Sequence, residues 1–159
     1  MSGRSAMATV AAALMLLSGC GSSSQSGSTT TAAGGGGVTV PTDQGTPVKL
    51  VAADVSETAQ SFTIDTASVK AGKVTFTFVN SGNRQHEMIV LKTDTPFDQL
   101  AVGSDNKVSE DASVGEISET DAGKTVTKTF DLAAGKYVLV CNIEKHYAQG
   151  MRVAFTVTP

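Results

Sequence analysis

Four side chains in this sequence are of types that bind a soft metal ion, and their order lets them do so together. The chain holds two histidines, His86 and His146, and two cysteines, of which Cys141 ends an apolar run. His146 lies five residues after Cys141, and Met151 five residues after His146. Two imidazoles, a thiolate and a thioether form an N/S donor set suited to copper in a trigonal His2Cys plane with a long axial methionine. Structural zinc sites are filled by Cys and His, and thioether is a poor ligand there; calcium and magnesium take oxygen. Singly, each residue has a plainer reading: His86 as a solvated side chain, Cys141 as a small buried hydrophobe, Met151 as core filler. A Cys–His nucleophile is the other chemistry open to Cys141 and His146. It leaves Met151 and His86 unexplained, and no third orienting group is evident.

The elements that must position these residues read as β-strands. Val48–Ala52 is a candidate first strand, and Ser61–Asp65 alternates polar and apolar as a half-buried strand does. Val74, Phe76 and Phe78 share one face of a run that ends at Asn80. Ser81-Gly82-Asn83 then turns into His86–Leu91. Thr125–Phe130, Tyr137–Cys141 and Met151–Val157 complete the set. The acid-rich stretch from Thr93 to Asp121 is less regular, with a short helical turn expected at Pro96–Leu100. Short strands, glycine turns and no ten-residue helical pattern predict an all-β sandwich of about seven to eight strands. In such a sandwich one loop between adjacent strands curls Cys141, His146 and Met151 around an ion, and a neighbouring strand supplies His86.

The run Cys141-Asn142-Ile143-Glu144-Lys145-His146-Tyr147-Ala148-Gln149-Gly150-Met151 resembles the ligand loop of the small blue copper proteins, the cupredoxins. Its C-x4-H-x4-M spacing is similar to that of the rusticyanin and sulfocyanin types. Asn80–Glu87 resembles the upstream histidine turn of that family, and Ala134-Gly135-Lys136-Tyr137 its approach to the cysteine; the likeness spans Val48 to Pro159. The resemblance implies a cupredoxin-like Greek-key β-sandwich holding one copper ion on His86, Cys141, His146 and Met151. It implies that Glu87 and Asn142 bridge the two ligand segments. It further implies that His146 reaches the surface through an apolar docking patch of Ile143, Tyr147 and Ala148, with His86 deeper. One departure is Glu144-Lys145, where many members have Pro-Gly before the second histidine; this removes a rigid turn and sets two charges beside the metal.

The N-terminal segment carries one charge, Arg4, then the apolar run Ala6–Leu17, too short for a spanning helix. Residues 1–19 are therefore expected to be an export signal. Leu17-Ser18-Gly19-Cys20 resembles a bacterial lipobox, which implies acylation at Cys20 and anchoring to a membrane. Residues 20–47 are rich in Ser, Gly and Thr and cannot bury enough apolar area to order themselves. They are expected to act as a tether with a reach of ~30 Å, leaving 48–159 as one folded domain. With each cysteine assigned a role, no disulfide is expected.

The net charge is −3, with no Lys/Arg cluster and no Trp, which argues against nucleic acid and carbohydrate as partners. The expected function is a one-electron carrier, not an enzyme, exchanging electrons with protein donors and acceptors outside the cytoplasm. It would sit in the periplasm or on the outer face of the cell membrane, with the domain monomeric. Copper delivery is the alternative, and a structural sandwich with a vestigial site a third. The acidic stretch from Asp105 to Asp121 is either a solvated face or a steering surface for a basic partner.

Overall fold

The computed structural model describes residues 44–159. The export segment, Cys20 and most of the tether lie outside the described residues. Nine strands form within that span: β1 (Thr46–Asp54), β2 (Gln60–Ile64), β3 (Ser68–Lys70), β4 (Gly72–Asn80), β5 (His86–Lys92), β6 (Ser113–Thr120), β7 (Thr125–Leu132), β8 (Gly135–Val140) and β9 (Arg152–Thr158). They build two sheets, ordered β2-β1-β4-β7 and β3-β9-β8-β5-β6. The fold is an all-β, cupredoxin-like sandwich. β1 begins at Thr46, inside the segment expected to be tether, because Thr46 pairs with Val74.

Alternation of side chains explains how the sheets meet. Val48, Leu50 and Ala52 of β1 and Val74, Phe76 and Phe78 of β4 are fully buried, while their neighbours are half-buried or exposed. Parallel pairing sets Val48 beside Phe76 and Leu50 beside Phe78, so the two apolar rows make one face. Phe155 of β9 meets that face from the other sheet, its ring 5.3 Å from Phe76 in an edge-on contact. Full burial of each such side chain contributes about 1.5–3 kcal/mol.

β5 and β8 differ from the rest in being buried on both faces. Met88, Val90, Leu139 and Cys141 join the sandwich core; Ile89, Leu91, Val138 and Val140 join a second cluster with Val108 and Tyr147. Residues 93–112 cover this second cluster from outside the sheet. The Tyr147 hydroxyl donates to Phe97 O (2.9 Å) and accepts from Leu100 N (3.0 Å), pinning that excursion to the ligand loop. Double burial is why β5 reads as a continuous apolar run.

The stretch from Thr93 to Asp121 thus holds more order than its sequence suggested. β6 lies within it, paired to β5 with register shifts on either side of Met88–Val90. Those shifts and an edge position spoil the alternation that would have exposed it as a strand. The helical turn expected at Pro96–Leu100 is a single turn closed by Gln99 N donating to Pro96 O (2.9 Å).

Candidate metal centre

Strand parity decides which residues enter the sandwich at this end. On β5, His86 shares the inward face with Met88 and Val90. Cys141 follows β8 in phase with Leu139, also inward. Antiparallel pairing of Ile89 with Val140 brings the two strand ends side by side. The loop from Cys141 to Met151 closes on itself: His146 N donates to Ile143 O (2.9 Å), Gln149 N to Lys145 O (2.9 Å) and Met151 N to His146 O (3.0 Å). Cys141 N donates to Met151 O (3.0 Å), so the two ends of the loop are joined.

The donor atoms converge. His86 Nδ1 lies 3.3 Å from His146 Nδ1, and Cys141 Sγ lies 3.3 Å from the same His146 atom. All three fall within 4.8 Å of one another. Ligand atoms bound about 2.0–2.3 Å from a common ion stand roughly 3–4 Å apart, so the spacing fits one metal ion. His86, Cys141 and Met151 are wholly buried and His146 is 7% exposed, so His146 alone approaches the surface. Met151 packs in the core cluster that contains Cys141.

Burial governs the electrostatics. It pushes the Cys141 thiol up to about 12, although the Glu87 amide N–H points at Sγ from 3.5 Å. It also brings His146 down to about 4, with the neighbouring His86 adding to the effect. His86 is lowered by burial too, against the pull of Asp54. At neutral pH the metal-free site therefore holds two neutral imidazoles and a thiol. A neutral imidazole binds metal directly, whereas the thiol must first lose its proton, which a metal ion readily causes.

Surrounding groups fix the ligand segments. Asn142 N donates to Glu87 Oε1 (3.0 Å), joining the residues that follow the two ligands. Burial raises the pKa of Glu87, an effect opposed by that same bond. The Asn142 side chain accepts from Val108 N (2.8 Å) and donates to Val108 O (3.0 Å) and Glu110 Oε1 (2.7 Å), so the 93–112 excursion docks directly behind Cys141. Asn80, fully buried, donates to Arg84 O (2.7 Å) and Thr120 O (2.8 Å) and accepts from Gly82 N (2.9 Å). It shapes the turn that carries His86.

Two residues near the site were not singled out from the sequence. Asn80 continues the inward row Val74, Phe76, Phe78, and Asp54 continues the inward row Val48, Leu50, Ala52. A polar residue in the apolar phase at a strand end was the available signal in both cases. Asp54 Oδ1 lies 3.4 Å from His86 Nε2.

Burial removes Tyr147 from the expected docking patch. Tyr147 is only 3% exposed, held beneath residues 97–100, whereas Ala148 is exposed. Ile143 is half-buried and packs against the core. Glu144 and Lys145 pair with each other across 3.1 Å in solvent and share the exposed face of the loop with Ala148. Lys145 adopts φ 72°, so the tight turn is made by a non-glycine residue in left-handed backbone.

Comparison with known proteins agrees with this geometry. The Sulfocyanin (SoxE) domain family matches residues 66–159, more than half of the chain. No curated protein matches it. Among solved structures, reduced auracyanin from the photosynthetic bacterium Roseiflexus castenholzii is similar at 26% identity and a TM-score of 0.52, covering 73% of this chain and 99% of its own. Rusticyanin from Thiobacillus ferrooxidans is similar at 26% identity and a TM-score of 0.55, covering 72% and 79%. With its ligand segments, sandwich and family match in agreement, the chain belongs to the sulfocyanin family of cupredoxins.

Proposed function

We propose that the domain carries single electrons on one copper ion held by His86, Cys141, His146 and Met151, on the outer face of a membrane. The observation that carries this reading is the convergence of three buried donor atoms within 4.8 Å at one end of a rigid sandwich. Copper bound there supplies a one-electron couple, because a soft N/S set accommodates both Cu(I) and Cu(II). The chain's own part is to hold the donors in place through both states. The bonds from Asn142 to Glu87 and Val108 and from Asn80 to the upstream turn do this by tying each ligand segment to a different part of the fold. The walls exclude substrate: three ligands are inaccessible and the fourth nearly so. An electron crosses such a wall and a molecule does not, which favours a carrier over an enzyme.

The same burial weighs against copper delivery, since an acceptor's ligands would need to reach the ion before it left. Tethering rests on the sequence: the apolar run Ala6–Leu17, the lipobox-like Leu17–Cys20 and the Ser/Gly-rich stretch to residue 47. Lipid on Cys20 would let the domain range over the membrane to meet protein donors and acceptors.

The test is to load the full chain with one equivalent of Cu(II) and record its visible spectrum. An intense red-end band from thiolate-to-copper charge transfer, abolished in Cys141→Ser, is the expected outcome. A colourless protein, or one with weak bands alone, would sink the carrier reading. Membrane fractionation of cells expressing the wild type and Cys20→Ala tests the tether; equal release of both into the soluble fraction would reject it.

A further inference from the structure

His86 has two ring nitrogens, and the ligand geometry uses only Nδ1. Its Nε2 is buried and has no hydrogen-bond partner of good geometry, and the same holds for Asp54 Oδ1. These two orphaned atoms face each other across 3.4 Å. That is longer than an optimal N–H···O distance of about 2.9 Å, yet neither atom has another group to turn to. A buried polar group without a partner is costly, so the contact is the one arrangement that relieves both.

The rest of the carboxylate is fixed from other directions. Asp54 Oδ2 accepts from Asn83 N (2.7 Å). Gly82 lies directly beneath: a Cβ there would come within 2.5 Å of Asp54 Oδ2 and 2.9 Å of His86 Nε2. A residue without a side chain is thus required where the pair meets. The turn itself is locked by Ser81, whose N and Oγ both donate to Ala52 O (2.9 and 2.8 Å). Among the described residues no Lys or Arg nitrogen lies within 4.0 Å of Asp54. The nearby Arg84 acts on Asp54 from a distance, while its Nη1 donates to Glu57 O (3.2 Å).

We propose that Asp54 is a positioning residue for the copper ligand His86. It accepts a hydrogen bond from Nε2–H, so that Nδ1 keeps its lone pair aimed at the metal, and it sets an unneutralised negative charge behind the ring. The first effect selects one tautomer of His86, a role carboxylates commonly play behind metal-bound imidazoles. The second favours the more highly charged oxidised ion and lowers the reduction potential. The inference rests on the copper reading above, but its tautomer half concerns the metal-free chain as well.

A merely structural role is separable from this one. If Asp54 served only to receive the Asn83 amide, asparagine would replace it, because its side-chain oxygen accepts the same bond. The test therefore compares wild type, Asp54→Asn and Asp54→Glu as full chains. In Asp54→Asn the Cu(II)/Cu(I) equilibrium is expected to move about tenfold toward Cu(I), a rise of about 59 mV for one electron. The thiolate charge-transfer band should survive. In the metal-free chain, 15N NMR should show His86 as the Nε2–H tautomer in wild type and as a mixture in the asparagine variant, with Asp54→Glu restoring part of both signals. A Cu(II)/Cu(I) equilibrium constant within threefold of wild type, together with an unchanged tautomer, overturns the proposal. Should Asp54→Asn not fold, Gly82→Ala decides, since its methyl presses on the pair while leaving the carboxylate in place. A changed tautomer population and potential support the inference, and wild-type values refute it. A wild-type chain without the charge-transfer band would defeat the copper reading alone, leaving the tautomer result to stand or fall separately.

Discussion

The two segments that bring ligands to the metal centre are held in opposite ways. The loop from Cys141 to Met151 is mostly self-supporting: its amides bond to its own carbonyls, and its two ends are joined by Cys141 N and Met151 O. The turn from Asn80 to His86 is tied to itself only through the Asn80 side chain, by its bonds to Arg84 O and from Gly82 N. It hangs from Ala52 and Asp54 of β1 through Ser81 and Asn83, from Thr120 through Asn80, and from Asp121 through Gln85. One segment is a local structure carried by the fold, and the other is a product of the fold. Damage to the first should stay local, whereas damage to the second should travel.

The strongest way to break the contrast is at Asn80. Asparagine to alanine leaves three backbone groups without their partner, one of them wholly internal, at about 1–1.5 kcal/mol each. Asn80→Ala is expected to lower stability by about 4 kcal/mol in denaturant titration and to weaken copper retention together with it. A variant of wild-type stability would show that the upstream turn does not depend on Asn80.

Acid titration of the metal-free chain probes both segments at once. His146 titrates at about 4 in the folded chain, below its ordinary value near 6.5. The unfolded state thus takes up the proton first, and His86, also lowered, acts in the same sense. Stability is full above about pH 6.5 and falls as pH drops toward 4, by about 3 kcal/mol for His146 alone. Bound copper, which holds both imidazoles unprotonated in the folded chain, should leave that fall in place and extend it below about pH 4. A copper-loaded chain whose profile levels off near pH 4 just as the metal-free chain's does would remove the histidines as its cause.

Gly150 sharpens the comparison, since it is the point where the self-supporting loop meets β2. Its φ is 112°, and a Cβ there would stand 2.6 Å from Gln60 O. Gly150→Ala is expected to cost about 1–3 kcal/mol, with the spectral change confined to the Met151 side of the site. The smallest effect belongs to Lys145, exposed and at φ 72°. Lys145→Gly relieves that backbone and should raise the melting temperature slightly, by up to about 1 kcal/mol of stability. A loss of stability there would mean that the exposed pair with Glu144 matters more than the strain.

The same contrast explains what could be read from the sequence. The ligand loop was legible because eleven consecutive residues carry both its chemistry and its spacing, and because His and Cys are rare in this chain. Strands such as β4 were legible because Val74, Phe76 and Phe78 alternate without interruption. Asp54 was not, because its partner is 32 positions away and meets it only once β1 and β4 pair in parallel, with Ala52 beside Asn80. β3 was missed because three residues are too few to show a period. Tyr147 was misplaced because the residues that bury it, Phe97 to Leu100, approach from a stretch with no regular pattern.

The double burial of β5 and β8 has a kinetic meaning. Proteins open piecemeal, shedding their least stable regions first. Peeling the 93–112 excursion away would expose one face of these strands while the sandwich core still clamped the other. His86 and Cys141 sit at the ends of those two strands. An ion held between them would leave only as those strands part, so its residence time should follow the lifetime of the fold itself.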